Sequence, residues 1–127
     1  MLVIDASVLV DALLVAGPSR ARLSSENLQA PELIDAELLS VLRRLVLADK
    51  LQNVDALQAL ATANHLGLRR HASRSLWPRA WELRTNLSAY GALYVALAEQ
   101  LDTPLFTADA RLARAPGLRC VVELAET

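Results

Sequence analysis

The sequence predicts an α/β fold, a mostly parallel sheet with helices on both faces, and three observations carry that reading. Short apolar runs rich in β-branched residues alternate with longer amphipathic stretches along the whole chain. The first run, Leu2-Val3-Ile4, stops abruptly at Asp5 and the small residues Ala6 and Ser7, the pattern of a strand buried on both faces at the centre of a parallel sheet. A later run, Pro104 to Thr107, again leads into a carboxylate, Asp109. In open α/β sheets the carboxyl ends of strands are where ligands and chemistry collect.

Each element follows in order. After the strand at residues 2–5, Val8 to Leu14 is apolar enough for a buried helix or turn, and Gly17-Pro18 breaks it. Ser19 can cap a short helix over Arg20 to Glu26, and Asn27 to Ala30 leaves room for a second strand. Pro31 suits the first turn of a helix from Glu32 to Asp49, where Leu33, Ile34, Leu38, Leu42, Leu45 and Val46 recur at helical spacing. Asn53 opens the next helix, Val54 to Leu66, stopped by Gly67. Leu68 to Ala72 supplies the strand that the alternation requires. Ser75 then caps a helix to Arg84, with Pro78 tolerated in its first turn, and Ser88 caps Ala89 to Gln100. A strand over 104–107, a small helix over 110–115 and a last strand over 118–122 complete the chain.

Length and composition limit what such a fold can be. At 127 residues and 54% hydrophobic, residues 1–127 read as a single domain with a proper core and no repeat or linker. Thirteen basic against fourteen acidic residues leave a net charge of -1, so any nucleic-acid contact must come from a local patch. Cys120 stands alone, which excludes an internal disulfide and a cysteine-based metal site and fits a reducing compartment. No apolar stretch approaches a membrane span and no basic leader opens the chain, so a soluble cytoplasmic protein is expected.

The chemistry concentrates in a few carboxylates. Asp5 and Asp109 follow strands, and Glu37 occupies the stripe between Leu33, Ile34 and Val41, so part of its side chain approaches the core. Buried carboxylates are rare unless paired or metal-bound, and three of them at one sheet edge call for a hard divalent cation with oxygen ligands. Simpler roles stand beside this one: Asp5 as the cap of the following helix, and Glu37 as a first-turn carboxylate complementing the helix dipole. Almost all basic residues are arginine, and Arg43, Arg44, Arg69, Arg70, Arg74, Arg79 and Arg84 are candidates for phosphate contact, most of them equally suited to solvated faces. Trp77 and Trp81 share a helical face and read as core or interface, while His65 and His71 read as structural.

Four stretches together resemble the PIN-domain family, and in size and spacing the VapC toxins of bacterial VapBC pairs. They are Val3-Ile4-Asp5-Ala6-Ser7, Pro31-Glu32-Leu33 leading to Glu37, Leu87-Ser88-Ala89-Tyr90 with Ala92 to Ala98, and Thr107-Ala108-Asp109. The resemblance spans residues 1 to about 123. It implies a sheet of about five strands and metal-dependent cleavage of RNA with Mg²⁺ or Mn²⁺. It also implies that Asp5, Glu37 and Asp109 are catalytic metal ligands, with Thr107 the hydroxyl position beside the last of them. Ser7 and Arg84 become the candidates for substrate contact. The implied partners are a VapB-type antitoxin, received in a groove of the early helices, and a second copy in a homodimer.

One position departs from the family pattern. Where a further acidic residue is typical, this chain has Gly91. With Ser88 as cap, Gly91 falls at the third helical position, where Asp or Glu would favour both capping and dipole and glycine costs up to ~1 kcal/mol relative to alanine. A glycine allowing close helix packing is the structural alternative. The loss of a carboxylate predicts weakened metal binding and low activity with the fold intact. It also keeps open a PIN-like module that binds antitoxin or RNA without cleaving, and a DNA-directed nuclease of related fold.

Overall fold

The structure, a computed structural model, describes residues 1–126. Five strands, β1 (Leu2–Ile4), β2 (Leu28–Pro31), β3 (Arg69–His71), β4 (Leu105–Thr107) and β5 (Val122–Leu124), form one parallel sheet in the order β3-β2-β1-β4-β5. Between them lie α1 (Ala6–Leu14), α2 (Pro18–Ser24), α3 (Ile34–Leu47), α4 (Asn53–His65), α5 (Trp77–Glu82), α6 (Ala89–Leu101) and α7 (Ala110–Arg114), with a 3₁₀ turn at Arg74–Leu76.

β1 is the middle strand and all three of its residues are buried, as an apolar run flanked by no amphipathic pattern requires. From β1 the chain builds outward through β2 to β3, then returns to the other side of β1 for β4 and β5. Right-handed crossovers put α1 to α4 on one face of such a sheet and α5 to α7 on the other. The packing agrees: α1 lies against α2, α3 and α4, whereas α6 lies against α5, β1 and β2. The order therefore reverses between β1 and β4, and a crevice opens there at the carboxyl edge.

Local signals explain most boundaries. Asp5 caps α1, accepting a hydrogen bond from the Val8 N–H at 3.2 Å. Ser88 caps α6 through the Gly91 N–H at 3.3 Å, and α6 ends at Asp102 in the left-handed region, φ 50°. Buried Ala92, Tyr94, Val95, Ala96, Leu97 and Ala98 make α6 apolar nearly all round, the mark of a core helix.

Several boundaries differ from the sequence expectation. Pro31 ends β2 opposite His71 instead of opening a helix, and the ladder continues through the Glu32 N–H, which reaches the His71 carbonyl at 2.9 Å. The strand pairing holds this segment extended, so α3 starts only at Ile34. Ser19 lies inside α2, buried, because Gly17 and Pro18 already provide the cap and first turn. Gln52 rather than Asn53 precedes α4. Ser75 falls in the 3₁₀ turn and caps nothing. The last strand lies at 122–124 because the pairing of β4 begins at Leu105 opposite Val122, and residues 118–121 form the approach loop. Trp77 and Trp81 are exposed, so neither belongs to the core. His71 is structural as expected, bonded to Gln29 at 2.7 Å. Among the described residues no helix is long and apolar enough to cross a membrane.

Leu97 is fully buried at the centre of this core. Leu97→Ala is expected to lower unfolding free energy by about 2–5 kcal/mol, measured by urea denaturation.

Candidate active site

The crevice predicted by the strand order is an open cleft of ≈ 550 Å³. Asp5, Ser7, Glu37, Gly91 and Asp109 all line it. β1 delivers Asp5, α3 delivers Glu37, the first turn of α6 delivers Gly91, and the turn after β4 delivers Asp109.

Asp5 is the most constrained of them. It is only 7% exposed, and its two oxygens are divided between two elements. Oδ1 accepts from the Ser7 hydroxyl at 2.6 Å and from the Val8 N–H, while Oδ2 accepts a short hydrogen bond from the Thr107 hydroxyl at the end of β4. Thr107 is completely buried, and its hydroxyl in turn accepts the Asp109 N–H at 3.0 Å. The Ser7 hydroxyl likewise accepts the Ala108 N–H at 2.9 Å. Burial pushes the Asp5 carboxyl above its ordinary value, with the bonds from Ser7, Thr107 and Val8 opposing that rise.

Glu37 is half-buried and accepts a 2.6 Å hydrogen bond from the Tyr94 hydroxyl. Burial raises its pKa first, the Asp5 charge raises it further, and the Tyr94 bond works against both. Tyr94 itself is held protonated, its pKa raised by burial and by Glu37, so it acts here only as a donor. Tyr94 was not singled out from the sequence. The available signal was a tyrosine inside an aliphatic helix face, since a buried phenol needs a polar partner.

Asp109 is different. Its residue is exposed, and Oδ1 caps α7 through the N–H groups of Arg111 (2.9 Å) and Leu112 (3.4 Å). The expected convergence of three buried carboxylates is thus only partly realised: Asp5 and Glu37 are close enough to repel, and Asp109 is turned to its own helix. Among the described residues no group of three or more His, Cys, Asp or Glu side chains could hold a metal ion. The all-oxygen donors suit a hard divalent cation in kind, and they fall short in number.

Gly91, the position where the family resemblance implies a further acidic residue, has no steric reason for being glycine. A Cβ built there meets Leu112 Cδ1 at 3.4 Å, Ser88 Oγ at 3.7 Å and Leu87 Cδ2 at 3.8 Å, all ordinary contacts. Close helix packing therefore does not demand it, and a carboxylate at 91 would enter the cleft that Asp5 and Glu37 line.

Arginines also reach the cleft, though not the one expected. Arg44 and Arg111 line it, whereas Arg84 does not; its guanidinium sits 4.8 Å from the Trp81 ring centroid. Arg70 and Arg79 are tied up with Asp35 and Glu99. Arg111 carries no sequence signal of its own, since a lone arginine in a short helix reads as a solvated charge.

Comparison with known proteins gives a consistent result. Residues 2–118 match the PIN domain family. The chain is 44% identical over 122 residues to a VapC ribonuclease of Mycobacterium bovis, with 96% of each chain covered. It is 45% identical over 127 residues to Ribonuclease VapC1 of Mycobacterium tuberculosis, again with 96% of each covered. Among solved structures it is similar to Mycobacterium tuberculosis VapC20, described as a sarcin-ricin loop cleaving toxin, with TM-score 0.66 and 17% identity over 89% of this chain and 93% of that one. At that identity the likeness concerns the fold alone.

The raised Asp5 pKa has a consequence for stability. A carboxyl that binds its proton more tightly when folded makes the fold lose stability as pH rises from the unfolded value near 3.8 through the higher native one. Asp5→Asn removes the buried charge and keeps a capping side chain. In metal-free buffer at pH 7 its melting temperature is expected to exceed that of the parent, and the advantage should vanish below pH 3.8, where Asp5 is protonated.

Proposed function

The chain belongs to the PIN-domain family, and from that premise we propose that it is the toxin of a VapBC-type toxin-antitoxin pair, an endoribonuclease that hydrolyses RNA phosphodiester bonds. The observation that carries the reading is the joint placement of Asp5, Glu37 and Asp109 around one cleft at the carboxyl edge of β1 and β4. Ribonucleases of this family depend on a divalent metal ion, and we assign Mg²⁺ or Mn²⁺ here; Asp5, Glu37 and Asp109 are the residues that would hold it, an incomplete set while Asp109 caps α7 and position 91 is glycine. When bound, the ion would supply an acidified water and positive charge for the transition state.

The chain's own residues divide the remaining work. Thr107 and Ser7 fix both oxygens of Asp5, so the carboxylate needs no reorganisation on binding a cation or substrate. Tyr94 holds Oε1 of Glu37. Arg44 and Arg111, which both line the cleft, supply charge for the phosphates flanking the scissile bond. Ser7 and Arg84 complete the proposed substrate contacts, Arg84 at the periphery. Exposed Leu39 and Leu47 on α3 and Val54 and Leu57 on α4 offer an apolar surface for the amphipathic segment of a VapB-type antitoxin. The protein would act in the cytoplasm as a homodimer.

Gly91 favours a second reading, a PIN-like module that binds its antitoxin and RNA without cutting. The two are separated by incubating total RNA with Mg²⁺ or Mn²⁺ and comparing this chain with Gly91→Asp and with Gly91→Asp combined with Asp5→Ala. The nuclease reading predicts little cleavage by the parent, a gain of about 100-fold or more with Gly91→Asp, and loss again in the double variant. Intact RNA with all three would leave the binding module as the function.

A further inference from the structure

The two tryptophans of the chain both sit on α5, four residues apart on one helical face, and both are exposed, Trp77 at 59% and Trp81 at 69%. This is not loose packing of the helix. Its other side is anchored: Leu76 and Leu83 at its two ends are buried, Ala80 packs on the core, and Arg79 is bonded to Glu99 on α6 at 2.7 Å. The register that seats those residues forces both indoles outward on a rigid base.

Arg84 completes the face. Its guanidinium lies over the Trp81 ring at 4.8 Å and donates to the Trp81 carbonyl at 2.9 Å. Among the described residues it makes no ion pair, so its charge remains for an outside partner. Two residues further on, Asn86 lines the cleft, and two residues of chain span at most about 7 Å. Arg84, at the end of this face, therefore lies close to the rim of the site. The chemistry of the face differs from the exposed aliphatic surface of α3 and α4: flat π-faces beside an unpaired arginine suit nucleobases on a phosphate chain.

We propose that Trp77, Trp81 and Arg84 form a stacking platform for unpaired bases of the RNA strand that leads into the cleft. Indoles stack on any base, and Arg84 meets the backbone between them, so the platform selects single-stranded over duplex RNA without reading sequence. The inference rests on the ribonuclease reading, and its test separates the two.

Because these are the only tryptophans, intrinsic fluorescence reports on this face alone. Titration with a short mixed-sequence single-stranded RNA, without added metal, is expected to quench it saturably, while a duplex of the same length and a single strand made of abasic units leave it nearly unchanged. With 3′-labelled single strand, anisotropy should show binding weakened roughly tenfold or more in Trp77→Ala/Trp81→Ala, and largely restored in Trp77→Phe/Trp81→Phe. Circular dichroism and elution volume should match the parent in both. RNA binding that neither quenches the indoles nor weakens in the alanine variant overturns the platform and leaves the ribonuclease reading standing. No binding of RNA by any form removes both. A change from dimer to monomer in the alanine variant overturns the platform by showing that this face joins two copies.

Discussion

The buried carboxylate of Asp5, clasped between the hydroxyls of Ser7 and Thr107, is the constraint on which the site depends. Asp5 stands at the end of β1 and Thr107 at the end of β4, the two strands between which the sheet order reverses. Their bond links residues 102 apart in the chain and makes the crevice a fixed feature of the fold. The same two hydroxyls receive the N–H groups of Ala108 and Asp109, so the turn that carries Asp109 is shaped by the group that holds Asp5. The helix cap and the site residue, alternatives in the sequence, are compatible: Oδ1 caps α1 while the residue lines the cleft.

Such a carboxylate is unfavourable for folding when charged, and Glu37 beside it adds repulsion. A protein retains that arrangement where something outside the chain needs it. In this chain Asp109 is committed to capping α7, and among the described residues no three carboxylates come together as a cation site. The backbone at 91 accepts a side chain without strain, so the effect of the glycine on the proposed cation site is chemical and local. It leaves the sheet, the cap at Ser88 and the anchoring of Asp5 untouched.

Much of this was legible in the sequence where one physical signal dominated. The continuous apolar run of β1 and the Ser88 cap each depend on local chemistry, and each appears where expected. The errors arise where distant parts of the chain decide. Pro31 reads as a helix start until β3 pairs with it, and β5 is set by the register of β4 rather than by the apolar residues at 118–121. Trp77 and Trp81 read as core or interface because tryptophan is large and apolar, and the core half fails because Leu76, Ala80 and Leu83 take the inward positions. Glu37 could be placed near the core from its stripe, but its partner Tyr94 lies 57 residues away and only the fold brings them together.

The central claim is that Asp5, Glu37 and Asp109 belong to a cation site of the PIN-domain type that a carboxylate at position 91 would strengthen. Its most direct test is titration of the metal-free protein with Mn²⁺, reading free ion by electron paramagnetic resonance, for the parent and Gly91→Asp. The account predicts weak binding by the parent and affinity roughly 10–100-fold higher in the variant, abolished by a further Asp5→Ala. Equal, tight binding by the parent and Gly91→Asp would contradict it.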